Sequence, residues 1–144
     1  MRYDSPMQRF FAALAATALL SGCAGILPNY TLYYWAVPFR GQFVRALLAY
    51  GGEAWTEAGD EAVGALMEGA LEDKPVPFMG PPVLVDHAAG VAVSQMPAIL
   101  LYLGDKLGLF PDDPGGRALS IKVVNDANDC LLYTSDAADE EDSV

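Results

Sequence analysis

YTLYYWAVPFRGQFVRALLAY, residues 30–50, changes its hydrophobic period partway along, and that change decides the fold. The first six residues are β-branched, aromatic or Leu, the composition of a buried strand. A short loop with Pro38 and Gly41 follows, and helical spacing then takes over. Phe43, Val44, Leu47 and Leu48 fall on one face, with Gly51 and Gly52 as the stop. A strand that turns tightly into a helix sets a side chain from the strand end beside a helix N-terminus. Such a corner favours an anion. The side chain placed there is Tyr34, while Tyr33 points to the opposite sheet face.

Downstream, EAWTEA (residues 53–58) alternates around Trp55 and predicts a second strand. Residues 60–71 are rich in Ala, Glu, Leu and Met and predict a helix, weakened by roughly 1 kcal/mol at each of Gly64 and Gly69. KPVPFMGPP (74–82) is a loop, because its prolines fix φ and remove donors. Val83–Val85 and Val91–Val93 form a hairpin-like strand pair. Ser94 is the expected cap of a third helix, with Pro97 in its first turn and Ile99, Leu100, Leu103 and Leu107 on one face. Gly108 followed by Leu109 reads as a Schellman stop. Asp112, Asp113 and Pro114 make a linker, and a further helix from Gly115 presents Ala118, Ile121 and Val124. The order is strand, helix, strand, helix, strand, strand, helix, then one separate helix. The first two strands are expected parallel and the last two antiparallel. This is an α/β unit of about eighty residues, within reach of one ordinary domain.

The net charge of −11 is uneven. The last fifteen residues supply −5 and the first 22 supply +1, leaving −7 between. With no basic stripe or arginine-rich arm, nucleic acid is not an expected partner. Cys23 and Cys130 are far apart and form no CxxC, and the single histidine, His87, has no cysteine near it. Metal binding and thiol–disulfide chemistry are therefore not expected. His87 in the hairpin turn, and the Glu57, Asp60, Glu61 cluster, read as solvated surface.

The two ends stand apart. Residues 1–23 (MRYDSPMQRFFAALAATALLSGC) have basic residues, a short apolar run and then small residues, the pattern of an export signal. Leu20-Ser21-Gly22-Cys23 resembles a lipobox with Cys23 as the lipidated residue, and a mis-assigned start codon explains the same segment. At the other end, CLLYTSDAADE from Cys130 breaks the helical pattern that runs from Arg117. It resembles the in-frame translation of a transposon-library adapter, so residues 130–144 are expected to be an artefact. A genuine acidic tail is the alternative.

Taken together, YTLYYWAVPFRGQFVRALLAYGGEAW, PPVLVD, QMPAILLYLGDKLGLFP and KVVNDAND resemble a glutathione transferase of the tyrosine type, nearest the Pi, Mu and Sigma classes. The resemblance spans Tyr30 to Asp129. It implies a thioredoxin-like N-terminal domain (βαβαββα) over 30–110. A linker and the first helix of an all-α second domain, cut short, would occupy 111–129. It also implies glutathione as co-substrate, a small-molecule electrophile, a homodimer of the full-length protein and a cytoplasmic location. The fragment alone is expected to be inactive.

The family's catalytic tyrosine falls on Tyr34, whose hydroxyl would donate to the glutathione sulfur. A free thiol titrates near ~8.5, so few are thiolate at neutral pH. One donor worth roughly 1.5–3 kcal/mol lowers that value by about one to two units. Pro82 falls on the family's cis-proline, and Pro81 before it has no N–H to offer glutathione. Lys74 falls near a lysine for the glycine carboxylate, and Gln42 replaces a basic residue. Gln95 matches the first member of a Gln-Ser pair that holds the γ-glutamyl end. Met96 replaces the serine and brings no hydroxyl. The resemblance therefore allows two readings: a transferase, or a non-catalytic binding domain with a degenerate glutathione site.

Overall fold

The computed structural model describes residues 28–141, with side chains as far as Tyr133. Strand β1 (Tyr30–Tyr33) leads through a loop into α1 (Arg40–Tyr50), followed by β2 (Trp55–Glu57) and α2 (Gly59–Glu68). A 3-10 turn at Leu71–Asp73 and the proline loop then deliver β3 (Val83–Asp86) and β4 (Val91–Ser94). Helices α3 (Met96–Lys106) and α4 (Pro114–Glu141) complete the described chain. The strands form one mixed sheet in the order β2-β1-β3-β4. β1 and β2 are parallel, whereas β1–β3 and β3–β4 are antiparallel. The expected α/β, thioredoxin-like order βαβαββα plus one helix is the one observed.

Strand alternation assigns the two faces of the sheet. Tyr30 and Leu32 of β1 and Leu84 of β3 point toward α1 and α3, where Val44, Leu48, Ile99 and Leu103 complete the main core. Thr31, Tyr33, Val83 and Val85 point the other way, and Val63 is buried on α2, which packs against β1. Burial raises the Tyr33 hydroxyl above its ordinary pKa. α3 ends in the expected Schellman geometry: Leu109 N–H reaches Gly104 O at 2.8 Å, Gly108 N–H reaches Asp105 O at 3.2 Å, and Gly108 has φ +67°. Asp113 caps α4, its carboxylate accepting from Gly116 N–H at 2.7 Å, and Pro114 opens the helix. Arg117 stacks on Phe110 and bonds Asp105, which fixes α4 against the end of α3. An open apolar groove of about 460 Å³ separates α1, α3 and α4, with Phe43, Leu47, Phe110 and Val124 among its walls.

Four expectations are corrected. β1 stops at Tyr33, because Tyr34 and Trp35 leave the ladder to begin the loop. Ser94 is the last residue of β4, and the N-cap of α3 is Gln95, which makes no side-chain capping bond. α4 does not break at Cys130 but runs on to Glu141, through residues rich in Leu, Ala and Glu that favour helix. His87 is half-buried rather than solvated; its Nε2 lies 2.8 Å from Thr31 Oγ1, its N–H bonds Asn29 O, and burial lowers its pKa. The export-signal reading of residues 1–23 lies outside the described residues.

Candidate functional site

At the end of the sheet where β1 gives way to α1, the register aligns three of the singled-out residues. Tyr33 is opposite Val83, and Val83 is opposite Ser94. One step beyond those pairs in register come Tyr34, Pro82 and Gln95, each the residue adjoining its strand at that end of the sheet. A backbone bond from Gln95 N–H to Pro82 O, 3.2 Å, extends the ladder by that step. The Pro81–Pro82 peptide bond is cis.

Tyr34 is 4% exposed and belongs to the main core. Its ring lies so close to α1 that a Cβ added to Gly41 would sit 2.3 Å from its Cδ1. Only glycine admits the ring at that distance. Trp35 meets the same ring edge-on at 5.5 Å, and the Arg45 guanidinium lies 5.8 Å from its centroid. α1 starts at Phe39 as N-cap with no side-chain capping bond and no acidic residue in its first turn. The positive dipole end of α1 therefore lies at the Tyr34 corner with no acidic side chain in that turn to offset it.

On the neighbouring helix, Gln95 has φ 73° and ψ 122°, the one non-glycine residue in the left-handed region among those described. Such a conformation costs about 1–3 kcal/mol and clusters at functional sites. It turns the chain from β4 into α3 and leaves Gln95 exposed at the helix start. Met96 is fully buried, so its side chain turns into the core and away from the surface. Gln42 is exposed in the first turn of α1, and Pro81 is half-buried. Lys74 is occupied elsewhere: its ammonium donates to Met67 O at 3.0 Å, at the end of α2, and lies 4.7 Å from the Phe78 ring centroid. Tyr34, Pro82 and Gln95 thus fall at one end of the sheet, with Gly41 against the Tyr34 ring and Gln42 exposed on the same turn of α1. Lys74 is engaged by Met67 and Phe78.

Two polar groupings had no sequence signal. At the far end of β1, Asp86 is buried and pairs with Lys106, while Tyr102 Oη–H donates to it at 2.7 Å and Ala89 N–H at 2.9 Å. Burial pushes this carboxyl up, but Lys106, Ala89 and Tyr102 together outweigh it and hold the pKa below the ordinary value. Burial and the bond to Asp86 push Tyr102 up to about 12. Near the site, Arg45 forms a two-pronged ion pair with Glu57 at 2.9 and 3.0 Å, and Trp55 Nε1–H donates to Glu57 at 2.9 Å. Asp60 accepts from Ala36 N–H at 3.3 Å. Glu57 and Asp60 are exposed as expected, yet both are committed partners.

No family model matches the chain. It is 32% identical to glutathione S-transferase P of Bos taurus over 125 residues, which is 82% of this chain and 57% of that protein. A prostaglandin synthase D of Nilaparvata lugens superposes with a TM-score of 0.59 at 24% identity, over 76% of this chain and 52% of that one. Ure2p in complex with glutathione gives 0.53 at 27% identity, over 65% and 46%. The fold is that of a thioredoxin-like domain of the glutathione-transferase type. In sequence as well as fold, the chain is similar to members of the glutathione transferase family. It spans about half the length of the relatives it matches.

Proposed function

We propose that the chain carries the glutathione site of a glutathione S-transferase, with Tyr34 as the hydrogen-bond donor to the sulfur. The observation that supports this is that Tyr34, cis-Pro82 and Gln95 fall at one end of the sheet, beside the N-termini of α1 and α3. In this reading the Tyr34 hydroxyl stabilises the thiolate, and the dipole of α1 adds to it. The main chain beside Pro82 meets the cysteinyl unit. Gln95 and the first N–H groups of α3 take the γ-glutamyl carboxylate. The thiolate then attacks a small-molecule electrophile: a carbon–sulfur bond forms and the leaving group or carbonyl-activated π-system takes the electron pair. Gln42 and Lys74 are further glutathione contacts in the resemblance, and Lys74 serves only if it leaves Met67.

A second reading, a binding domain without catalysis, is favoured by Met96 and Pro81. The first buries its side chain and the second has no N–H, so two polar contacts to glutathione are missing. The likeness to Ure2p, solved with glutathione and with S-hexylglutathione, accords with binding in either reading. We place the full-length protein in the cytoplasm as a homodimer; no described helix is long and apolar enough to cross a membrane. Retention on immobilised glutathione, followed by thiolate absorbance of the bound peptide, tests both readings. Wild-type chain should bind and shift the thiol down by about one to two units, and Tyr34→Phe should bind without that shift. Binding without a shift in the wild type selects the second reading, and a folded chain that is not retained sinks both.

A further inference from the structure

We infer that Arg45, oriented by Glu57, is a positioning residue that fixes the loop carrying Tyr34 and thereby aims its hydroxyl. The inference rests on the proposed role of Tyr34 and adds a residue to it. Between the end of β1 and the start of α1 the backbone has left the sheet, so its carbonyls need partners from elsewhere. Arg45 supplies them from one turn into α1: Nη2–H donates to Trp35 O at 2.9 Å and Nη1–H donates to Val37 O at 3.2 Å. The remaining edge of the guanidinium, Nε and Nη2, is held by both oxygens of Glu57 on β2. Glu57 is held in turn by the Trp55 indole.

From the opposite side, Asp60 at the start of α2 takes the N–H of Ala36. The residues directly after Tyr34 are thus tied to α1, β2 and α2 at once. The Tyr34 ring lies against Gly41 and within reach of the guanidinium, with no side chain at Gly41 to hold it off the helix. A planar fork with several donors in fixed directions is required to meet two carbonyls and a carboxylate together. A lysine ammonium offers one point charge and cannot make the same set. Ion pairs as open to water as Glu57 add little to global stability, so the effect of this one is local.

The test uses the chain with Arg45→Gln, Arg45→Lys and Glu57→Gln. Amide hydrogen exchange at Ala36 and Phe39 should rise at least tenfold in Arg45→Gln, and less in Glu57→Gln. The β3 ladder amides of Leu84 and Val85 should not change, which shows that the fold is intact. With glutathione bound, the thiol should titrate closer to its free value. In the full-length enzyme kcat should fall about tenfold while KM for glutathione moves less than twofold. Arg45→Lys should not restore any of these. Unchanged loop exchange in both Arg45→Gln and Glu57→Gln overturns the inference, as does full rescue by lysine. If Arg45→Gln does not fold, Glu57→Gln decides by the same readings. Failure of the wild-type chain to retain glutathione sinks the function proposed above but leaves the loop-exchange result to judge Arg45 separately.

Discussion

Strand β1 has an ion pair at each end, and the two do different work. At its start, beside Tyr30, Asp86 is 1% exposed and closed in by Lys106, Tyr102 and Ala89. At its finish, beside Tyr34, Glu57 stays open to water and its partner Arg45 spends its other donors on loop carbonyls. Burial makes the first pair an obligation of the fold. A desolvated carboxylate must keep its cation and donors, whereas the exposed pair can be lost with little global cost. The same chemistry secures the hairpin turn against α3 in one place and aims a loop in the other.

Breaking the buried pair gives the largest effect. Lys106→Ala should lower unfolding free energy by about 3–5 kcal/mol in urea melts, because it strands the Asp86 carboxylate. Gly41→Ala should cost about 1–3 kcal/mol, since the added methyl must displace the Tyr34 ring, and ring chemical shifts should report the displacement. The acid limb sharpens the contrast further. The Asp86 carboxyl is held below its ordinary value in the folded state, so the unfolded chain binds its proton first as pH falls. Its stabilisation is complete above about pH 4, the ordinary carboxylate value, and is lost as pH drops through the folded-state value. Urea midpoints measured across that range should fall more steeply for wild type than for Asp86→Asn. The smallest change belongs to the exposed pair: Glu57→Gln should shift stability by less than about 1 kcal/mol, with the midpoint nearly unmoved.

Much of this architecture is legible in the sequence because it depends on local period. The shift from alternation in YTLYY to the 3–4 spacing of Val44, Leu47 and Leu48 marks β1 and α1, and Gly108-Leu109 marks the end of α3. The candidate site was legible only through several motifs taken together, since sheet register brings Tyr34, Pro82 and Gln95 to one end of the sheet. Boundaries failed where geometry overrides composition. Tyr34 and Trp35 suit a strand but leave the ladder, and Ser94 suits a cap but belongs to β4 while Gln95 takes a left-handed turn. The polar groupings were illegible for a different reason. Asp86 meets Tyr102 and Lys106, and Arg45 meets Glu57, across separate elements, where no spacing rule applies.

The sheet order has a consequence for synthesis. β1 is central in the sheet yet is the first of the described strands to be made, and its antiparallel partner begins only at Val83. A growing chain can pair β1 with β2 early, through one helical crossover. The other edge of β1 then waits for roughly thirty more residues, about 1.5–6 s at ordinary elongation rates. During that interval an apolar strand in the middle of the future sheet presents free N–H and C=O groups to any neighbouring chain. Emergence of Val83–Asp86 closes that edge, and with it the window for mispairing between nascent chains.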